Sequence, residues 1–128
     1  MSKKILVVDD EESICELLRV ALAREGFEIL TAKNGKEALS IVLSSSPDLI
    51  LLDLMLPNMS GFEVLRELQR PDMNRVPVIV FTGRYTDNST QDLIRQETNV
   101  VEFLQKPLNT AALATRVHTI LKTAPPLR

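Results

Sequence analysis

The chain has 128 residues, with 15 Lys+Arg against 17 Asp+Glu and a formal net charge of -2, which is enough for one domain burying roughly two thirds of the surface its unfolded form would expose. So balanced a charge offers no field to hold nucleic acid or an anionic membrane, so neither is expected as a direct partner and proteins are. Cys15 is the one cysteine, which excludes an internal disulfide and suits a reducing, cytoplasmic setting.

The first apolar run, Ile5 to Val8, is cut off by Asp9-Asp10 after four residues, too short for a signal-peptide core or a spanning helix. Ile14, Leu17, Leu18, Ala21 and Leu22 then recur at helical spacing, with Glu11, Glu12, Glu16 and Arg19 off the stripe and Gly26 as a stop. Beside Ile14, Cys15 reads as a small buried thiol. A short strand, Phe27 to Leu30, leads to a helix starting near Asn34 and fading at Ser44-Ser45-Ser46-Pro47. Leu49 to Leu52 is continuously apolar and ends at Asp53; a third helix is predicted from Gly61 to about Arg70. Val78 to Phe81 forms the next apolar run, ending at Thr82-Gly83. The helix predicted over 86–97 has little apolar stripe beyond Leu93 and Ile94, which suits a movable surface. Val100 to Leu104 precedes Lys106-Pro107, and a last helix buries Leu113, Val117, Ile120 and Leu121, with His118 on its solvated face.

Five strands alternate with five helices, so the expected fold is α/β, a parallel sheet covered on both faces. Runs that are apolar throughout belong to strands buried on both sides, which makes the first, third and fourth central. The second and fifth carry a glutamate within the run, as edges tolerate. With right-handed crossovers the order becomes 2-1-3-4-5, a flavodoxin-like doubly wound sheet whose ligands bind beyond the carboxyl ends of the strands, between the first and third. Asp9, Asp10 and Asp53 fall there, and Thr82 and Lys106 end the neighbouring strands. Three carboxylates drawn together repel unless a cation neutralises them, and oxygen-only ligands favour a hard ion such as Mg²⁺. Glu11 and Glu12 read as ordinary acids at a helix start.

These residues resemble a known family, the receiver domain of bacterial two-component response regulators (CheY-like). The resemblance rests on Ile5 to Glu11, on Asp53-Leu-Met55-Leu-Pro57-Asn-Met59-Ser-Gly61, on Thr82-Gly83, and on Phe103-Leu-Gln-Lys106-Pro107, and it covers nearly the whole chain. It implies that Asp53 is the phosphoacceptor. Asp9, directly or through water, Asp10, Asp53 and the backbone carbonyl of Met55 would hold Mg²⁺, while Lys106 and the Thr82 hydroxyl bind phosphoryl oxygens. The donor would be a histidine kinase or a histidine phosphotransfer protein. Thr82 and Phe103 would then switch the face made by the fourth helix, fifth strand and fifth helix, to control a downstream protein target or an output domain. A cis bond between Lys106 and Pro107 is also implied. At most the chain would phosphorylate and dephosphorylate itself.

Three other readings are weighed. An aspartate-nucleophile phosphatase carries Asp-x-Asp, where this chain has Met55 in the second acid's place; a nucleotide- or flavin-binding domain on the same sheet needs a Gly- or Ser/Thr-rich loop after the first strand, where Asp9-Asp10-Glu11-Glu12 would repel the ligand's phosphate; a receiver serving only as a scaffold would take up no phosphoryl group. The domain is expected over residues 1–122, with 123–128 as a tail or the start of a linker. Asn99-Val100-Val101 stands where the family often has Gly-Ala-Asp: Asn99 can still adopt the left-handed cap, and the two valines are expected to pack inward, the alternative being a partner contact. Met55 and Arg84 would border the phosphoryl group.

Overall fold

The apolar runs of the sequence become five parallel strands, β1 (Lys4–Val8), β2 (Glu28–Ala32), β3 (Leu49–Asp53), β4 (Val78–Thr82) and β5 (Val100–Gln105), in the order β2-β1-β3-β4-β5. Our computed structural model describes residues 2–57, 59–73, 75–83, 92, 94, 96, 97 and 99–126. Among them, continuous helices are α1 (Glu12–Ala23), α2 (Gly35–Ser45), α3 (Gly61–Glu67) and α4 (Thr110–Leu121). The helix expected over 86–97 lies largely outside the described residues; near its end the Gln96 N–H donates to the Asp92 carbonyl at 3.1 Å.

Strand alternation divides the apolar residues between two cores. Leu6 and Val8, Ile50 and Leu52, and Val78 and Val80 pack with Phe103 against Ala38 and Val42 of α2 and Val64 and Leu65 of α3. Ile5 and Val7, Leu49 and Leu51, and Ile79 and Phe81 pack on the other face against Cys15, Leu18 and Leu22 of α1 and Leu113 and Val117 of α4. Burial of α1's Leu18 and Leu22 contributes about 2 kcal/mol each, and Cys15 is buried with them. As expected, β1, β3 and β4 are central and the charged strands form the edges.

Local sequence starts and stops these elements. Asn34, Ser60 and Asn109 cap α2, α3 and α4 by accepting the backbone N–H of Glu37, Glu63 and Ala112. Gly26 closes the turn after α1 at φ 98°, where a side chain would be strained. α3 stops at Glu67, three residues short of the expected end.

Two expectations are corrected. Val100 packs against the core, but Val101 is exposed, because the β4–β5 register slips between Val78 and Ile79 and Val101 becomes the extra residue of a bulge. His118 is buried rather than solvated: its Nε2 lies 3.0 Å from Glu25 Oε1, its Nδ1 lies 2.7 Å from Thr123 Oγ1, and its ring sits 4.9 Å from that of Phe27. Asn99 is buried too and works as a bridge, its amide donating to the Val76 carbonyl and its side-chain oxygen accepting from Gln69 at 2.6 Å.

Candidate functional site

β1 and β3 are neighbours that end together, and each delivers its acids to the same rim at the point where the chain turns into opposite layers of helices. Carboxylate oxygens of Asp9, Asp10 and Asp53 all lie within 4.8 Å of one another. Asp9 is fully buried and Asp53 is 2% exposed, whereas Asp10 faces solvent.

Backbone geometry holds the two buried acids. Asp9 Oδ1 accepts the Glu11 N–H at 2.8 Å, and Asp53 Oδ1 accepts the Met55 N–H at 2.9 Å. The loop after β3 is drawn onto the start of α3 by the Gly61 N–H, which donates to the Leu54 carbonyl at 3.0 Å. A Cβ at Gly61 would stand 2.4 Å from Leu54 Cα and 2.6 Å from the Asp53 carbonyl oxygen, so only glycine permits this approach.

Lys106, at the end of β5, reaches into the cluster. Its Nζ lies 3.0 Å from Asp9 Oδ2, 3.2 Å from Glu11 Oε1 and 3.3 Å from Asp53 Oδ2, and 5.5 Å above the Phe81 ring. The Lys106 N–H donates to the Thr82 carbonyl at 2.9 Å, tying this end of β5 to β4, and the Lys106–Pro107 bond is cis as expected. Thr82 is fully buried; Phe103 is buried among Val78 and Val80. The side chain of Met55 is half-exposed. Arg84 and Tyr85 lie outside the described residues.

The electrostatics are those of a site lacking positive charge. Burial pushes the Asp53 carboxyl above the ordinary carboxylate range and the Asp9 charge pushes the same way, against the opposing Met55 N–H and Lys106. Burial disfavours the Lys106 ammonium, but the adjacent Asp9, Glu11 and Asp53 carboxylates outweigh it and raise its proton affinity. Asp9 Oδ2 accepts no hydrogen bond among the described residues, and the Lys106 ammonium stands 3.0 Å from it as an ion pair. A buried carboxylate oxygen left this way suits a cation, and a donor set made only of oxygen suits a hard divalent one.

The structure brings Asp9, Asp10, Asp53 and Lys106 together on this rim, with Thr82 at the end of the neighbouring strand, whereas Phe103 lies in the core beside Val80, and one further residue joins the cluster. Glu11, taken from sequence as a helix-start acid, stands at the N-cap of α1, yet its side chain makes no capping bond and turns to Lys106 instead. Its only sequence signal was adjacency to the acid pair.

Residues 5–118 match the family model described as "Response regulator receiver domain". Among curated proteins, the chain is 40% identical over 127 residues to the phosphate regulon transcriptional regulatory protein PhoB of Rhizobium meliloti, covering 98% of this chain and 55% of the relative. It is 38% identical over 122 residues to the alkaline phosphatase synthesis transcriptional regulatory protein PhoP of Bacillus subtilis, covering 95% and 50%. The chain thus spans about half the length of these relatives. Among solved structures, the signal receiver domain of a signal transduction histidine kinase from Syntrophus aciditrophicus superposes with a TM-score of 0.83 at 30% identity, covering 94% of this chain and 91% of that one. A CheY-like response regulator receiver domain protein from Methanospirillum hungatei gives 0.83 at 28% identity, covering 95% of each chain.

Proposed function

The chain belongs to the response regulator receiver domain family of two-component systems, a signalling family that is phosphorylated on aspartate, and from that premise we propose that Asp53 is the phosphoacceptor. The observation that carries this reading is the placement of Asp53, buried at the end of a central strand, with the Lys106 ammonium and two further acids around it. In the proposed reaction an Asp53 carboxylate oxygen bonds to the phosphorus of a phosphohistidine as the P–N bond breaks. The imidazole keeps the electron pair and takes up a proton. Attack requires ionised Asp53, which Lys106 and the Met55 N–H both favour.

Asp9, Asp10, Asp53 and the carbonyl of Met55 are proposed to hold Mg²⁺, a fit supported by the gathered carboxylates and by the buried Asp9 Oδ2, which accepts no hydrogen bond among the described residues. When bound, the ion supplies the positive charge that three carboxylates and a transferring phosphoryl group together require. Lys106 and the Thr82 hydroxyl bind phosphoryl oxygens. Thr82 and Phe103 then carry the change to the face that includes β5 and α4.

The donor is proposed to be a histidine kinase or histidine phosphotransfer protein in the cytoplasm. The receiver spans residues 1–122, with 123–128 as tail or linker, and it acts on a downstream protein or an attached output domain without touching nucleic acid itself. No described helix is long and apolar enough to cross a membrane.

Incubation with Mg²⁺ and acetyl phosphate should add one phosphoryl group, mapped by mass spectrometry to Asp53. Lys106→Ala should slow uptake by roughly a hundredfold, and Asp53→Ala should abolish it. Equal labelling of Asp53→Ala and the wild type would overturn the assignment.

A further inference from the structure

In this structure the Lys106 ammonium donates to Glu11 Oε1 at 3.2 Å and to Asp53 Oδ2 at 3.3 Å, and it pairs with Asp9 Oδ2 at 3.0 Å. With Asp53 as phosphoacceptor, Lys106 must also meet the oxygens of an incoming phosphoryl group. The phosphoryl oxygens then compete with these carboxylates for one ammonium, and the carboxylate displaced at least cost is the one that water can reach. Asp9 is fully buried and its Oδ2 has no hydrogen-bond donor among the described residues, so separation from Lys106 would leave a buried charge uncompensated. Asp53 is the atom source of the new bond and stays beside Lys106. The Glu11 side chain is 58% exposed and on release is simply rehydrated.

Resting on that assignment of Asp53, we propose that Glu11 is a positioning residue that governs phosphoryl uptake: its carboxylate holds Lys106 in the resting site and competes with the phosphoryl oxygens for that ammonium. Its charge also repels the anionic donor before transfer. The backbone of Glu11 has separate duties, its N–H donating to Asp9 Oδ1 at 2.8 Å and its carbonyl accepting from Ile14 and Cys15, so exchanging the side chain leaves those bonds in place. The competition is electrostatic, and salt distinguishes it from a role in folding.

The test compares the second-order rate constant for labelling by acetyl phosphate, at saturating Mg²⁺, in the wild type, Glu11→Gln and Glu11→Ala. Both variants should react roughly three to five times faster than the wild type at low ionic strength. The ratio should fall toward one in about 1 M potassium chloride, where charges separated by more than roughly 3 Å are screened. Without Mg²⁺ or donor, the ¹⁵N resonance of the Lys106 ammonium should shift in Glu11→Gln, which reports the contact independently of the reaction. Variants that label at the wild-type rate or slower, or a ratio indifferent to salt, would overturn the role of Glu11 while leaving Asp53 as acceptor. An unlabelled wild type would remove the acceptor reading itself and this proposal with it.

Discussion

The two ends of the same sheet treat buried polar groups in opposite ways. At the carboxyl end of the strands, Asp9 and Asp53 are packed together with Asp10 close by, and a carboxylate oxygen is left without a hydrogen-bond donor among the described residues. At the opposite end, His118 has a partner on each ring nitrogen and Phe27 against its face, and Asn99 bridges the approaches to β4 and β5. Burial is similar at both ends; completeness of pairing is not. A satisfied polar network fixes a fold, whereas a network of like charges short of partners stores readiness for an anion and a cation.

The comparison is broken most severely by removing what forces the acids together. Gly61→Ala puts a Cβ into the backbone of Leu54 and Asp53, and should cost about 3 kcal/mol of unfolding free energy in urea and weaken Mg²⁺ binding. A variant as stable as the parent would mean that the loop after β3 moves freely. His118→Ala attacks the satisfied end: with both side-chain bonds and the Phe27 contact gone, stability should drop by about 2 kcal/mol while labelling by acetyl phosphate stays within about twofold of the parent. A large loss of labelling would show that the two ends are coupled.

The smallest effect has the opposite sign. The carboxyl of Asp53 is raised in the folded state, chiefly by burial and then by Asp9. A raised acid contributes stability below its unfolded pKa and loses it as pH rises through the folded value, so ionised Asp53 is a liability at neutral pH. With metal removed by chelator, Asp53→Asn should therefore be more stable than the parent by about 1 kcal/mol at pH 7, the difference fading below about pH 4, where both forms are neutral. Thermal unfolding across pH checks this; a variant less stable at pH 7 would mean that Lys106 outweighs burial and repulsion. Added Mg²⁺ should stabilise the parent more than the variant.

Much of this was legible because it depends on short-range pattern. Continuous apolar runs identified β1, β3 and β4 as central, glutamates within the runs identified β2 and β5 as edges, and the position of each acid at a strand end brought Asp9, Asp10 and Asp53 to one rim. His118 was misread despite a usable signal: it lies four residues after Ala114 and three before Leu121, on the margin of the buried stripe of α4. The exposure of Val101 had no such signal, because a bulge is a property of two strands paired, and neither strand alone contains it.

From its order of residues alone, then, the chain determined the periodicities, the caps at Asn34, Ser60 and Asn109, and the succession of acids, since each depends on neighbours a few positions away. Only the tertiary structure decided what lies between residues remote in the chain: Lys106 against Glu11 and Asp9, His118 against Glu25, and Gln69 against Asn99. The physical reason is that such contacts depend on side-chain direction and on distance across packed layers, and a few ångströms there determine whether a charge meets water or a partner.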